Sequence, residues 1–197
     1  MPLKKTSRKS FLIEYPDFPT SNNSKDIYTY PDYYRKYIMY VEAKSTKGLC
    51  GNVAKEFTKL MELLNCPQLH FLGNSTTPWL FREHDYKPVL QALNYLTENN
   101  ISKSFNGAIT TTNLNLTDFL KHLFWLVRCN GVVFYPYFTD VQFNIMGTIC
   151  QYGNIHLSTL SEEVDALFNE KVQQTKFILT DKSKCTGRIF KRKTSAI

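Results

Sequence analysis

The sequence predicts an α+β protein of two small units: a small mixed N-terminal unit and a C-terminal unit in which helices precede a basic hairpin. Three observations predict it. Apolar residues recur at helical spacing in four separate stretches. Short aromatic and β-branched runs between those stretches read as strands. A long polar segment rich in turn residues, Glu98 to Gly107, divides the chain. At 197 residues, 43% hydrophobic and 14% aromatic, such a chain can bury a core. The expected organisation is a mobile basic arm over 1–26, a mixed α/β unit over 27–104, and a second unit over 105–197.

The arm holds Pro2, Pro16 and Pro19 and the run Ser21 to Ser24, with a short strand or anchor at Phe11–Tyr15. Residues 27–44, rich in Tyr, Ile and Val, predict extended chain on either side of Pro31. Gly51 or Asn52 opens a helix whose apolar face is Val53, Phe57, Leu60, Met61 and Leu64, and Pro67 ends it. Residues 69–73 suit a short strand. Asp85 or Tyr86 begins a second helix, with Pro88 in its first turn and Val89, Leu90, Leu93 and Leu96 as its apolar positions.

Beyond Gly107, Asn115 or Thr117 caps a helix carrying Phe119, Leu120, Leu123, Phe124, Leu126 and Val127, which Asn130-Gly131 terminates. Val132–Phe138 reads as extended, and 141–150 suits either helix or strand. Thr159 with Glu162 forms a capping box for a helix that buries Leu160, Val164, Leu167, Phe168 and Val172. These residues are expected to lie on the helix of Leu120, Leu123 and Phe124. Phe177-Ile-Leu and Arg188-Ile-Phe then flank a polar turn, which reads as a two-stranded ribbon. Helices followed by a basic hairpin follow the order of a winged helix, so the C-terminal unit is expected to be winged-helix-like.

Charge points to a partner. The formal net charge is +7, yet residues 1–10 carry +4 and residues 176–197 carry +6, leaving the body at −3. Cations set apart at the ends suit an anionic partner, and nucleic acid is the expected one. The nucleic-acid-binding residues expected are Lys182, Lys184, Arg188, Lys191, Arg192 and Lys193. The helix of Glu162, Glu163, Asp165 and Glu170 is a poor face to offer to DNA, so in a winged module the wing and tail must contribute much of the phosphate contact.

A competing set is Asp32, Glu42 and Lys44. Nucleases of the PD-(D/E)xK type hold Mg²⁺ with such an Asp and Glu and position water or stabilise charge with the Lys. The bland alternative for the same residues is a solvated hairpin edge. Tyr33, Tyr34, Tyr37 and Tyr40, beside Arg35 and Lys36, have the composition of a base-stacking surface or of a half-buried sheet face. His84-Asp85 is read as a helix start, and His122 as a satisfied residue of an apolar helix.

Other classes are excluded. The sequence has no phosphate-binding glycine loop and no nucleophile-elbow serine. No apolar run approaches the ~20 residues of a membrane span, and the N-terminus lacks a secretory apolar stretch. Cys50, Cys66, Cys129, Cys150 and Cys185 are scattered, without a C-x-x-C pair or zinc-ligand spacing. They read as buried apolar residues of a cytoplasmic protein, and no metal or cofactor is expected.

Three ordered patterns resemble the RteC family of conjugative-element regulators. They are Tyr33-Tyr34-Arg35 with Tyr40, Glu42 and Lys44; His84-Asp85-Tyr86-Lys87 at a helix start; and Thr175-Lys176-Phe177, preceded by Asn154-Ile155-His156-Leu157. An apolar helix ending at Gly131-Val132 lies between them. The resemblance implies a winged-helix-like C-terminal domain and duplex DNA binding in transcriptional control of a mobile element. The alternatives are the Mg²⁺-dependent nuclease and a non-catalytic protein-binding module of the immunity or adaptor kind.

Overall fold

The computed structural model describes residues 3–22, 27–129, 136–180 and 185. Its frame is one antiparallel sheet of eight strands in the order β1-β6-β5-β7-β8-β9-β4-β10. In chain order these are β1 (Lys4–Thr6), β4 (Arg35–Tyr40), β5 (Gln68–Leu72), β6 (Ala108–Thr112), β7 (Tyr137–Asp140), β8 (Ile145–Ile149), β9 (Ile155–Thr159) and β10 (Ile178–Thr180). A separate ribbon pairs β2 (Thr20–Asn22) with β3 (Ile27–Thr29). The helices are α1 (Arg8–Glu14), α2 (Thr46–Leu63), α3 (Lys87–Glu98), α4 (Asn113–Arg128) and α5 (Glu162–Val172).

Strand side chains alternate between faces, so each strand gives one set to the helices and the other to the opposite side. Met39, Phe71, Ile109, Phe138, Ile145, Ile149, Ile155 and Leu157 join the main core with α2, α3, α4 and α5. Phe57 of α2 meets Phe138 edge to face at 5.1 Å, and Phe119 of α4 meets Phe71 at 4.9 Å. On the opposite face a smaller core joins Phe11, Tyr15 and Phe18 to Leu72, Ala108 and Tyr137. Thus α1 and the turn after it cover the β6-β5-β7 part of that face. The part formed by β8, β9 and β4 lies beyond their cover.

This architecture is α+β, but its strands do not divide at residue 104. β6 pairs with β1 and β5, and β9 and β10 both pair with β4. The Glu98–Gly107 segment therefore links elements of one sheet. All five described strands of the expected winged-helix-like unit, β6 to β10, stand within that sheet, and α4 lies on it and on α2 and α3. β10 pairs with β4; the second strand of the expected ribbon, at 188–190, lies outside the described residues.

The N-terminal segment is likewise built into the fold. Ser7 caps α1 by accepting the Ser10 N–H at 3.1 Å. Lys5 donates to the Asn100 carbonyl at 2.7 Å and Arg8 to that of Gly73 at 2.9 Å. Two of the four N-terminal cations therefore have structural partners. Elsewhere caps replace the expected starts. Ser45 opens α2, and Ser161, accepting the Val164 N–H at 3.3 Å, opens α5, which leaves Leu160 and Thr159 outside that helix. α5 lies on β9 and α2 rather than chiefly on α4. No described helix is long and apolar enough to cross a membrane.

Candidate functional site

The exposed part of the sheet carries a cavity of about 390 Å³. Its floor follows from register. In β8, Met146 and Thr148 point away from the helices, and they stand opposite Ser158 and His156 of β9. Ser158 in turn faces Lys36 of β4. Gly147 lies between Met146 and Thr148, where a side chain would overlap the His156 carbonyl oxygen and the Phe138 ring. Glycine there lets the strands close beneath the cavity.

Tyrosines wall it. Lys36 Nζ lies 5.6 Å from the Tyr30 ring centre and 5.7 Å from that of Tyr33, cation–π contacts with both. The Tyr30 and Tyr137 hydroxyls are hydrogen-bonded to each other. Tyr30, Tyr33 and Tyr152 keep 45%, 49% and 43% exposure, enough to offer ring surface to a ligand. Tyr34 is exposed nearby, whereas Tyr37 turns to the helix side. There it lies 4.5 Å from the Phe168 ring and donates to Asp165 at 2.6 Å. Tyr40 is buried. Of the tyrosines that the sequence groups together, Tyr33 thus lines the cavity and Tyr37 faces the helices, while within β4 the pleat sets Tyr37 and Tyr40 on opposite faces.

Three further groups meet at one end of the cavity. The β8–β9 hairpin turns through Cys150–Asn154, closed by Cys150 N–H to Asn154 O at 3.0 Å and Gly153 N–H to Cys150 O at 2.9 Å. Gly153 takes φ +82°, a left-handed geometry that suits glycine. The turn sets Cys150 and His156 on the cavity side, because Ile149 and Ile155 face the core. Cys185, five residues beyond β10, returns to the same place, with Sγ 2.9 Å from His156 Nε2. The donor atoms of Cys150, His156 and Cys185 all lie within 4.8 Å of one another. Burial pushes the Cys150 thiol up to about 11, and burial followed by Lys36 lowers His156 below the usual histidine value. At neutral pH, Cys150 is thus a thiol and His156 a neutral imidazole. C-x₅-H is no standard ligand spacing, and Cys185 is distant in sequence; the convergence comes from sheet register.

The other expected residues are placed as follows. Asp32 precedes β4, while Glu42 and Lys44 follow it. β4 alone spans about 17 Å at ~3.3 Å per residue. The three stand at opposite ends of one strand, not on facing segments, and do not form a shared Mg²⁺ site. Lys182, Lys184, Arg188, Lys191, Arg192 and Lys193 lie outside the described residues. His84 accepts the Tyr86 N–H at 3.0 Å, beside a second, more open cavity of about 660 Å³, and Asp85 makes no cap. His122 stacks on Tyr95 at 4.3 Å.

No protein-family model, curated protein or solved structure matches the chain. The resemblance to the RteC family accordingly rests on its sequence patterns alone.

Proposed function

We propose that this is a nucleic-acid-binding protein that takes a single strand across the tyrosine-bearing face of its sheet, assisted by the basic C-terminal segment. The observation that carries this reading is the position of Cys185. It belongs to the segment holding Lys182, Lys184 and Arg188, and it sits at the cavity walled by Tyr30, Tyr33 and Lys36. Lys36 and the tyrosine rings share that face, and a cation beside stacking rings is the combination that binds single strands. Tyr33 and Tyr152 offer ring faces, and Lys36 and the segment supply phosphate contacts.

Control of a mobile element, which the family resemblance implies, calls for duplex binding instead. Fluorescence anisotropy separates the two. An oligonucleotide and its duplex are titrated against the full chain at several salt concentrations. We expect the single strand to bind tighter, with affinity falling as salt rises by roughly 0.7 logarithmic units per phosphate neutralised. Removal of residues 182–197 flattens that dependence. Tyr33→Ala weakens single-strand binding by about 5- to 150-fold, the equivalent of ~1–3 kcal/mol per stacked base. Preference for duplex favours the regulator reading, and no binding at low salt favours the protein-binding module.

A further inference from the structure

We infer that Cys150, His156 and Cys185 form a zinc site with three protein ligands, its fourth coordination position open to the cavity. Among the described residues, these are the one group of three His, Cys, Asp or Glu side chains whose donor atoms meet closely enough to share an ion. Tetrahedral zinc bonds sulfur at about 2.3 Å and imidazole nitrogen at about 2.0–2.1 Å, which places its donors roughly 3.5–3.8 Å apart. The donors here all fall within 4.8 Å, and Cys185 Sγ and His156 Nε2 are 2.9 Å apart. Shifts of about 1 Å or less complete the geometry.

Donor chemistry selects the ion. Two sulfurs and one imidazole suit zinc and disfavour Mg²⁺ and Ca²⁺, which take oxygen. Binding of Zn²⁺ forms two Zn–S bonds and one Zn–N bond and releases one proton from each thiol. The product, Zn²⁺ with two thiolates and a neutral imidazole, carries no net charge and is therefore compatible with a half-buried position. All three ligands line the cavity, so the remaining position faces that space and takes water or an anionic ligand atom. The proposal stands independently of nucleic-acid binding, although a bound ion would fasten the segment around Cys185 to the sheet.

Cobalt(II) substitution tests it. The full chain is reduced, stripped with a chelator, titrated anaerobically with Co²⁺, and then challenged with Zn²⁺. We expect the intense visible bands of tetrahedral cobalt together with thiolate-to-cobalt charge transfer, saturating at a single equivalent and bleached by zinc. Cys185→Ser and His156→Ala each lower affinity by more than about 10-fold, whereas Cys129→Ser leaves it unchanged. Far-UV circular dichroism confirms that the variants are folded. Cys185→Ser carries the least risk to the fold because Cys185 lies outside every strand and helix. A weak octahedral cobalt spectrum without charge transfer overturns the proposal, as does binding that Cys185→Ser does not alter. Mass spectrometry finding Cys150 and Cys185 joined as a disulfide in protein taken directly from cells overturns it as well.

Discussion

Asp165 shows how one buried carboxylate can hold several elements together. It is 5% exposed and accepts from Tyr37 at 2.6 Å, Thr159 Oγ1 at 2.9 Å and Asn169 Nδ2 at 3.1 Å, with Arg35 at 3.7 Å. β4, β9 and α5 therefore share a single acceptor. Asp165→Ala leaves the Tyr37 and Thr159 hydroxyls without this partner, and we expect a loss of about 2–4 kcal/mol in urea unfolding. Asp165→Asn keeps part of the network and should cost less. Histidine titration is a second effect at this scale. His70, between the hydroxyls of Tyr15 and Thr110, and His122, on Tyr95, are both lowered mainly by burial. Lys4 pushes His70 the same way, against Glu14 and Asp140. The unfolded chain therefore takes up protons first, near the ordinary value of about 6.5. Stability is fully present above that pH and is lost as pH falls from about 6.5 through the lower folded values. Melting temperature followed from pH 7.5 to about 5 should decline, and His70→Gln should make the decline shallower.

The elements differ in how plainly the sequence announced them. α2, α3 and α4 were legible because their apolar residues keep helical spacing over about two to three turns. α3 also starts after Tyr86 as expected, whereas the starts of α2 and α5 were not legible, since Ser45 and Ser161 compete with neighbouring Gly51, Asn52 and Thr159 as caps, and only the placed backbone decides between them. β6 escaped notice. Ala108–Thr112, left unassigned between the Glu98–Gly107 segment and the next helix, contains three threonines and one large apolar residue, and its place as a strand is set by β1 and β5, which flank it and bury Thr110 and Thr111. α1 was masked by the charge and prolines around it, although Phe11, Tyr15 and Phe18 recur at the spacing of an anchored helix. Within α5, Phe168 is fully buried while Leu167 is half-buried. Phe168→Ala should therefore cost about 3–5 kcal/mol and Leu167→Ala clearly less, as measured by thermal or urea unfolding.

For the molecule as a whole, the consequence of the topology is cooperativity. Strands from the first 40 residues pair with strands beyond 105 at both sides of the sheet. Every sheet partner of β1, β4 and β5 lies beyond residue 105, and 105–197 alone keeps only the β7-β8-β9 pairings. The two fragments expressed separately should fail to fold, and the intact chain should unfold in a single transition by circular dichroism and tyrosine fluorescence. The same long-range pairing explains why the site was hidden in the sequence. Tyr33, Lys36, His156 and Cys185 are neighbours only once β4 lies between β9 and β10. The claim that this face receives a nucleic-acid strand is tested most directly by photo-crosslinking. A bromouracil-substituted single strand is irradiated with the full chain at low salt, and the attached residues are identified by mass spectrometry. The account predicts adducts at Tyr30, Tyr33 or Tyr152 that disappear when salt displaces the strand. Adducts confined to α2, α3 or α4, on the opposite side of the sheet, would contradict it.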